Sequence, residues 1–204
     1  GNGKNQYFRD SLEKDGVDVF DSTVALIRRL RNRSVKTALV SSSRNARSVL
    51  DAAGLTDLFD VCIDGNDVAR LGLKGKPHPD LFLKAARDLD VEPGRAMVLE
   101  DAISGVQAGY AGGFGLVIGV DRADQAAALH EGGADLVLPD LAALHVRTRP
   151  AAAWCAADAL PRILDRPAAI EQELNGKRAA VFLDYDGTLT PIVARPELAV
   201  LSED

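Results

Sequence analysis

Aromatic residues are scarce in this sequence, and long apolar runs are absent. Only 5% of the 204 residues are aromatic although 47% are hydrophobic, so the core has to be built from Val, Leu, Ile and Ala. No apolar run approaches the ~18 residues of a membrane-spanning helix, and residues 1–10 lack the apolar core of a signal peptide. We therefore expect one layered helix-and-sheet domain with appendages and no membrane partner.

Cysteine and positive charge are also in short supply. Cys62 and Cys155 are the two cysteines and lie far apart, so neither a disulfide framework nor a zinc site is plausible, and a reducing cytoplasm fits best. The 30 acidic residues exceed the 24 basic ones, which gives a net charge of -6. Because non-specific binding to nucleic acid depends on positive charge, we expect no nucleic-acid partner.

Six short apolar runs have the length and composition of buried β-strands. They cover residues 35–40, 60–64, 96–99, 115–120, 135–138 and 179–183. Helical patterns lie between them at residues 21–33, 45–54, 79–90, 103–113 and 123–133. Asp21 or Ser22 is the expected cap of the first helix, and Pro79 opens the third. This alternation predicts an α/β fold with a doubly wound parallel sheet that helices cover on both faces.

Polar side chains lie near the ends of four of these runs. They are Ser41, Lys76, Glu100, Asp101, Asp184 and Asp186. The carboxyl ends of parallel strands meet at one edge of a sheet, where ligands bind. Carboxylate oxygens suit Mg²⁺, while an ammonium and a hydroxyl suit phosphoryl oxygens. Each feature alone has an ordinary structural reading, such as a turn or a helix cap, but together they predict a site for a phosphate ester with Mg²⁺.

The stretch VFLDYDGTLT, residues 181–190, carries the most specific signal. Asp184 and Asp186 are two positions apart on an extended segment and project to the same side. One carboxylate could attack phosphorus while the other protonates the leaving oxygen and later activates water. Gly187 allows the chain to turn out of the strand.

Four motifs resemble those of the haloacid dehalogenase-like phosphohydrolases. DYDGT at residues 184–188 is similar to their first motif, Ser41 to the second, Lys76 in GKPHPD to the third, and LEDAISGVQAG at residues 99–109 to the fourth. Residues 4–140 look like a β-phosphoglucomutase-like member with a helical cap. VFLDYDGTLTPIVARPELA, residues 181–199, looks like the opening of a trehalose-6-phosphate phosphatase.

The resemblance implies a role for each of these residues. Asp184 would be the nucleophile that forms an aspartyl-phosphate, and Asp186 the acid and base. Ser41 and Lys76 would hold phosphate, with Asn45 near it. The implied Mg²⁺ ligands are Glu100, Asp101, Asp184 and the backbone carbonyl of Asp186.

The order of the motifs departs from that family, because the first motif comes last. We therefore divide the chain into residues 1–20 as a cap remnant, 21–144 as a core without its first strand, 145–178 as a linker and helix, and 179–204 as the first strand of a trehalose-phosphatase-like domain. Either the chain is a segment of a tandem polypeptide, or its last strand fills the vacancy in the core sheet. That strand could come from the same chain or from a second copy, as a strand-exchanged homodimer.

Three functions remain open at this point. The first is Mg²⁺-dependent hydrolysis of a small-molecule sugar phosphate, with trehalose 6-phosphate as the leading substrate. The second is a β-phosphoglucomutase-like phosphatase or mutase. The third is a non-catalytic scaffold domain within a multidomain trehalose enzyme.

Overall fold

Six parallel strands form one sheet in the computed structural model, which describes residues 17–144, 180–184 and 188–189. The strands are β1 (Lys36–Val40), β2 (Val61–Ile63), β3 (Ala96–Glu100), β4 (Leu116–Val120), β5 (Leu136–Leu138) and β6 (Ala180–Leu183). Their order across the sheet is β2-β1-β6-β3-β4-β5, and every neighbouring pair is parallel. The doubly wound parallel sheet expected from the sequence is confirmed. Residues 1–16 of the cap remnant expected at residues 1–20, and the linker and helix expected at residues 145–178, lie outside the described residues.

Six α-helices lie within the described ranges. They are α1 (Asp21–Arg31), α2 (Ala46–Ala52), α3 (Gly65–Leu71), α4 (Asp80–Asp88), α5 (Ile103–Ala111) and α6 (Ala126–Glu131). Helix α3 was not expected. It is short, and a capping box starts it: the Asp64 side chain accepts from the Asn66 and Asp67 backbone amides, and Asp67 accepts from the amide of Asp64.

The prediction that Asp21 or Ser22 caps α1 is wrong. Phe20 occupies the capping position, and Asp21 is already the first helical residue. Its carboxylate lies in the first turn, where it interacts favourably with the positive end of the helix dipole without making a cap hydrogen bond. The amide of Phe20 donates instead to the carbonyl of Leu189 at 2.9 Å, which ties the start of α1 to the chain beyond β6.

Strand β6 comes last in the chain but lies in the middle of the sheet. It pairs with β1 on one side and with β3 on the other, and its four residues are all fully buried. Ala180 and Phe182 pack on one face of the sheet, while Val181 and Leu183 pack on the opposite face. The slot that was expected to be vacant is therefore filled by the strand that carries the first motif.

Each face of the sheet has its own hydrophobic layer. Side chains of α1 and α2 pack with Leu39, Leu99 and Leu183 on one face. Side chains of α4, α5 and α6 cover the other face, where Phe82, Phe114 and Phe182 make edge-to-face contacts with ring centroids 5.2–6.5 Å apart. Phe182 of β6 is thus part of the aromatic centre of that layer. None of the helices in the described ranges is long and apolar enough to cross a bilayer.

The register of the three central strands brings their carboxyl ends to one level. Leu183 of β6 is the partner of Leu39 in β1 and of Leu99 in β3. The next residue along each strand is Val40, Asp184 or Glu100. This alignment places two acidic side chains from distant parts of the sequence next to each other.

Candidate active site

Three buried carboxylates converge at the carboxyl edge of the sheet. Glu100 ends β3, Asp101 follows it, and Asp184 follows β6. One oxygen of each carboxylate lies within 4.8 Å of the corresponding oxygens of the other two. The amide of Asp184 donates to the carbonyl of Leu99 at 3.1 Å, which continues the sheet pairing by one residue and holds Asp184 beside β3.

Lys76 joins two of these carboxylates. It lies in the loop between α3 and α4, and its ammonium binds Asp184 Oδ1 at 2.5 Å, the carboxylate of Glu100, and the carbonyl of Val40 at 3.2 Å. Its Nζ also lies 5.0 Å from the centroid of the Phe82 ring. Only 7% of the Lys76 side chain is exposed, so the ion pairs are largely shielded from water.

Burial and mutual repulsion determine how these groups titrate. Burial, then the charge of Asp184, raises the pKa of Asp101 to about 6, and the same two causes raise the pKa of Glu100 although Lys76 opposes them. Burial would lower the pKa of Lys76, but Asp184 and Glu100 more than offset this and raise it above its ordinary value. Lys76 therefore stays charged, while the stability contributed by protonated Asp101 is present below about pH 4 and lost as pH rises towards 6.

Besides its contact with Lys76, the Glu100 carboxylate has a backbone hydrogen bond, and the lack of a side chain at Gly105 leaves space for it. Its Oε2 accepts from the amide of Ala102 at 2.9 Å. A Cβ atom on Gly105 of α5 would lie 1.7 Å from Glu100 Oε1 and 1.9 Å from its Cδ. Gly105 is thus the position that makes room for this carboxylate beneath the first turn of α5.

The substitution Gly105→Ala is expected to lower the free energy of unfolding by about 3 kcal/mol, since the methyl group displaces Glu100 from Lys76. The loss would occur although Ala favours a helix interior by about 1 kcal/mol over Gly. Gly109→Ala in the same helix is the control, because its nearest contacts are valine methyl groups at 3.2–3.4 Å. Chemical denaturation of both variants checks this, and equal effects at the two positions would contradict it.

Asp101 is held from two sides. The Thr188 hydroxyl donates to Asp101 Oδ1 at 3.2 Å, and the Gln125 side-chain amide donates to the Asp101 carbonyl at 2.9 Å. The sequence pattern singled out neither Gly105 nor Thr188, although both stand inside the quoted motifs. No sequence signal points to Gln125.

The remaining predicted site residues are placed less closely. Ser41 follows β1, the strand beside β6, and its hydroxyl accepts from the amide of Ser43 at 3.0 Å. Asn45 immediately precedes α2, and within the described ranges its side chain makes no hydrogen bond to the carboxylate cluster. Asp186 lies outside the described residues. Lys76, Glu100, Asp101 and Asp184 are therefore the residues that the fold brings together, and their chemical roles stay predictions.

The donor set fits a divalent cation. The three carboxylates and one ammonium carry a formal charge of −2 when all are ionised. Carboxylate oxygens are hard ligands of the kind that Mg²⁺ binds in proteins. Glu100, Asp101 and Asp184 would hold the ion, while Lys76 neutralises part of their charge.

The chain is similar to known proteins in sequence and in fold. The model of the haloacid dehalogenase-like hydrolases matches residues 3–113. The chain belongs to this family. A haloacid dehalogenase-family hydrolase from Deinococcus radiodurans, whose structure holds phosphate and sodium, is 36% identical; the match covers 60% of this chain and 56% of that one, with a TM-score of 0.54.

Three mycobacterial relatives are similar in sequence. A β-phosphoglucomutase of Mycobacterium bovis is 44% identical over 147 residues, which is 71% of this chain. A trehalose-phosphate phosphatase of Mycobacterium leprae is 37% identical over 183 residues, or 88% of this chain. An uncharacterized glycosyl hydrolase of Mycobacterium tuberculosis is 41% identical over 190 residues, or 93% of this chain.

The chain spans only part of each of these relatives. It covers 56% of the β-phosphoglucomutase, 40% of the trehalose-phosphate phosphatase and 14% of the glycosyl hydrolase. The activities in their names therefore support a proposal about this chain and no more.

Proposed function

We propose that this protein is a Mg²⁺-dependent phosphohydrolase of the haloacid dehalogenase-like family that acts on a sugar phosphate. The observation that carries the proposal is the buried contact of Lys76 with both Asp184 and Glu100, next to Asp101. A nucleophilic carboxylate, a fixed positive charge and a set of cation ligands meet there. Phosphoryl transfer from a monoester needs these three components.

In this proposal Asp184 attacks the phosphorus atom of the substrate. A bond forms between its carboxylate oxygen and phosphorus, the bond from phosphorus to the sugar oxygen breaks, and Asp186 gives its proton to that oxygen. Asp186 then takes a proton from water, whose oxygen bonds to phosphorus. The aspartyl–phosphorus bond breaks, which releases inorganic phosphate and restores Asp184.

The other residues bind and orient the phosphoryl group. Lys76 stays protonated and neutralises negative charge, and Ser41 offers a hydroxyl at the end of the adjacent strand, with Asn45 beyond it. Bound Mg²⁺ would neutralise phosphoryl oxygens at this edge of the sheet. Glu100 and Asp101 would hold the ion with Asp184.

Trehalose 6-phosphate is the proposed substrate. The trehalose-phosphate phosphatase of Mycobacterium leprae matches 88% of this chain, and the segment around Asp184 resembles the opening of such enzymes. A second candidate is a β-phosphoglucomutase-like activity on a glucose phosphate. The 44% identity to the β-phosphoglucomutase of Mycobacterium bovis, over 71% of this chain, favours it.

Phosphate release separates these candidates. The chain is incubated with Mg²⁺ and trehalose 6-phosphate, glucose 1-phosphate or glucose 6-phosphate, and inorganic phosphate is measured. We expect release from trehalose 6-phosphate, and a fall of at least about 10³-fold in Asp184→Asn because the amide is not a nucleophile. Faster release from a glucose phosphate would favour the second candidate.

The matched control is Asp60→Asn, a carboxylate that pairs with Arg31 far from the cluster. It should keep the activity of the unmodified chain. Activity that survives Asp184→Asn would contradict the assigned nucleophile. If no substrate releases phosphate, the non-catalytic scaffold within a multidomain protein becomes the better account.

The cytoplasmic setting and the strand-exchanged homodimer stay predictions. Both exchange and insertion within one chain would place β6 between β1 and β3. Light scattering over a range of protein concentrations measures the mass of the particle. Exchange requires a mass of twice 21.7 kDa, so the mass of a single chain would exclude it.

A further inference from the structure

The two threonines behind the carboxylate cluster form a buried hydrogen-bonded column. The Thr23 hydroxyl of α1 donates to the Thr188 carbonyl at 2.7 Å, and the Thr188 hydroxyl donates to Asp101 Oδ1 at 3.2 Å. Both threonines are fully buried, and Asp101 is 3% exposed. The column therefore connects a helix on one face of the sheet to one proposed metal ligand.

Hydrogen bonds to the backbone fix the position of Thr188, whose side chain contacts Asp101. Its carbonyl is bound by Thr23, and the carbonyl of the next residue, Leu189, is bound by the amide of Phe20. Two consecutive carbonyls beyond β6 are thus anchored to the start of α1. The hydroxyl of Thr188 is held in place by these contacts and has a single proton, which it donates to Asp101.

Asp101 has few other ways to be oriented. The Gln125 side chain fixes its backbone carbonyl, which leaves the carboxylate free to rotate about its own side-chain bonds. The Thr188 hydroxyl is the side-chain donor that the carboxylate has within the described residues. Without that donor, a buried carboxylate oxygen would lose its partner beside two further carboxylates.

We infer that Thr188 is a positioning residue, which orients the Asp101 carboxylate so that the cluster binds a divalent cation. The inference rests on the metal site of the proposed function. Ligand groups in metal sites are commonly oriented by a second hydrogen-bonding partner, and loss of that partner typically weakens metal binding about 10- to 100-fold. Thr188 is linked to the cation only through Asp101.

Calorimetric titration of the full chain with Mg²⁺ tests this without measuring turnover. We expect Thr188→Val to raise the Kd for Mg²⁺ by about tenfold or more, and Thr188→Ser, which keeps the donor, to restore it to within about threefold. Thr188→Ala is measured beside them, since it removes the same donor without adding a methyl group next to Asp101. If Thr188→Val does not fold, Thr188→Ala provides the test.

Thr37→Val is the matched control. Thr37 is an equally buried threonine, and its hydroxyl donates to the carbonyl of Leu58, so the substitution removes a donor but leaves the contacts of Thr188 with Thr23 and Asp101 in place. We expect it to change stability while the Kd for Mg²⁺ stays within about threefold of the unmodified chain.

The outcomes are distinguishable from those of the proposed function. Equal Kd values in the unmodified chain, Thr188→Val and Thr188→Ala would overturn the positioning role and leave the metal site standing. The same holds if Thr37→Val weakens binding as much as Thr188→Val. No Mg²⁺ binding by the unmodified chain would overturn both, whereas binding without phosphatase activity would overturn only the proposed reaction.

Discussion

A chain that stops at Gly176 is expected to lose cooperative folding. It lacks β6, whose four residues are fully buried and pair with strands on both sides. The loss exposes two inner strand edges and removes four side chains from the two hydrophobic layers. Burial of each large side chain contributes about 1.5–3 kcal/mol, so the loss approaches the roughly 5–15 kcal/mol that stabilises a whole domain. Circular dichroism during denaturation measures the cooperativity of unfolding and the loss of stability.

A single substitution tests the same feature in a chain that still folds. Phe182 is fully buried and contacts the rings of Phe82 and Phe114. Phe182→Ala should lower the free energy of unfolding by about 3–5 kcal/mol. Leu71→Ala, at a side chain that is 39% exposed, should change it by about 0.5 kcal/mol or less. A chain ending at Gly176 that unfolds at the same temperature as the full chain would show that β6 is not part of this sheet.

Replacement of Lys76 by Met should destabilise the metal-free protein by about 3–5 kcal/mol. Met keeps much of the apolar stem that lies near Phe82 but removes the charge that binds Asp184 and Glu100. Two buried carboxylates then face each other without a counter-charge. The formal charge of the cluster falls from −2 to −3, so Mg²⁺ should raise the melting temperature of Lys76→Met by more than that of the unmodified chain.

Melting curves in the chelator EDTA and in excess Mg²⁺ measure both parts of this prediction. Lys84→Met is the control, since Lys84 pairs with Asp88 on the exposed side of α4 and contributes about 0.5 kcal/mol or less. A Lys76→Met variant as stable as the unmodified chain in EDTA would mean that the ammonium does not compensate the two carboxylates. An equal response of both proteins to Mg²⁺ would contradict a cation site at the cluster.

Local features of the sequence were enough to predict the six strands and five of the six α-helices in the described ranges. The strands appear as runs such as residues 96–99 and 115–120 because a strand buried on both faces is apolar at every position. Helix α3 was missed because it is short and its start is marked by Asp64 and Asp67, a weaker form of the usual capping box. The cap of α1 was expected at Asp21 or Ser22, one or two residues too late, because Asp21 acts through the helix dipole rather than through a hydrogen bond.

The residue types of the candidate site could be predicted, but the contacts that hold those residues in place could not. Acidic residues at strand ends identify Glu100, Asp101 and Asp184, because parallel strands end at a common edge. The roles of Gly105 and Thr188 depend on which side chain lies opposite each of them. The periodicity of the local sequence does not show which residues make such contacts.

The sequence by itself determined the alternation of strands and helices, the absence of a net positive charge and the residue types of the proposed chemistry, because these follow from composition and short-range pattern. Only the tertiary structure decided that the last described strand lies between β1 and β3, with Asp184 against Lys76. Two central strands offer unpaired edges and apolar side chains on both faces, and the apolar strand β6 satisfies all of them at once. That pairing, and the register that comes with it, is what brings the carboxylates together.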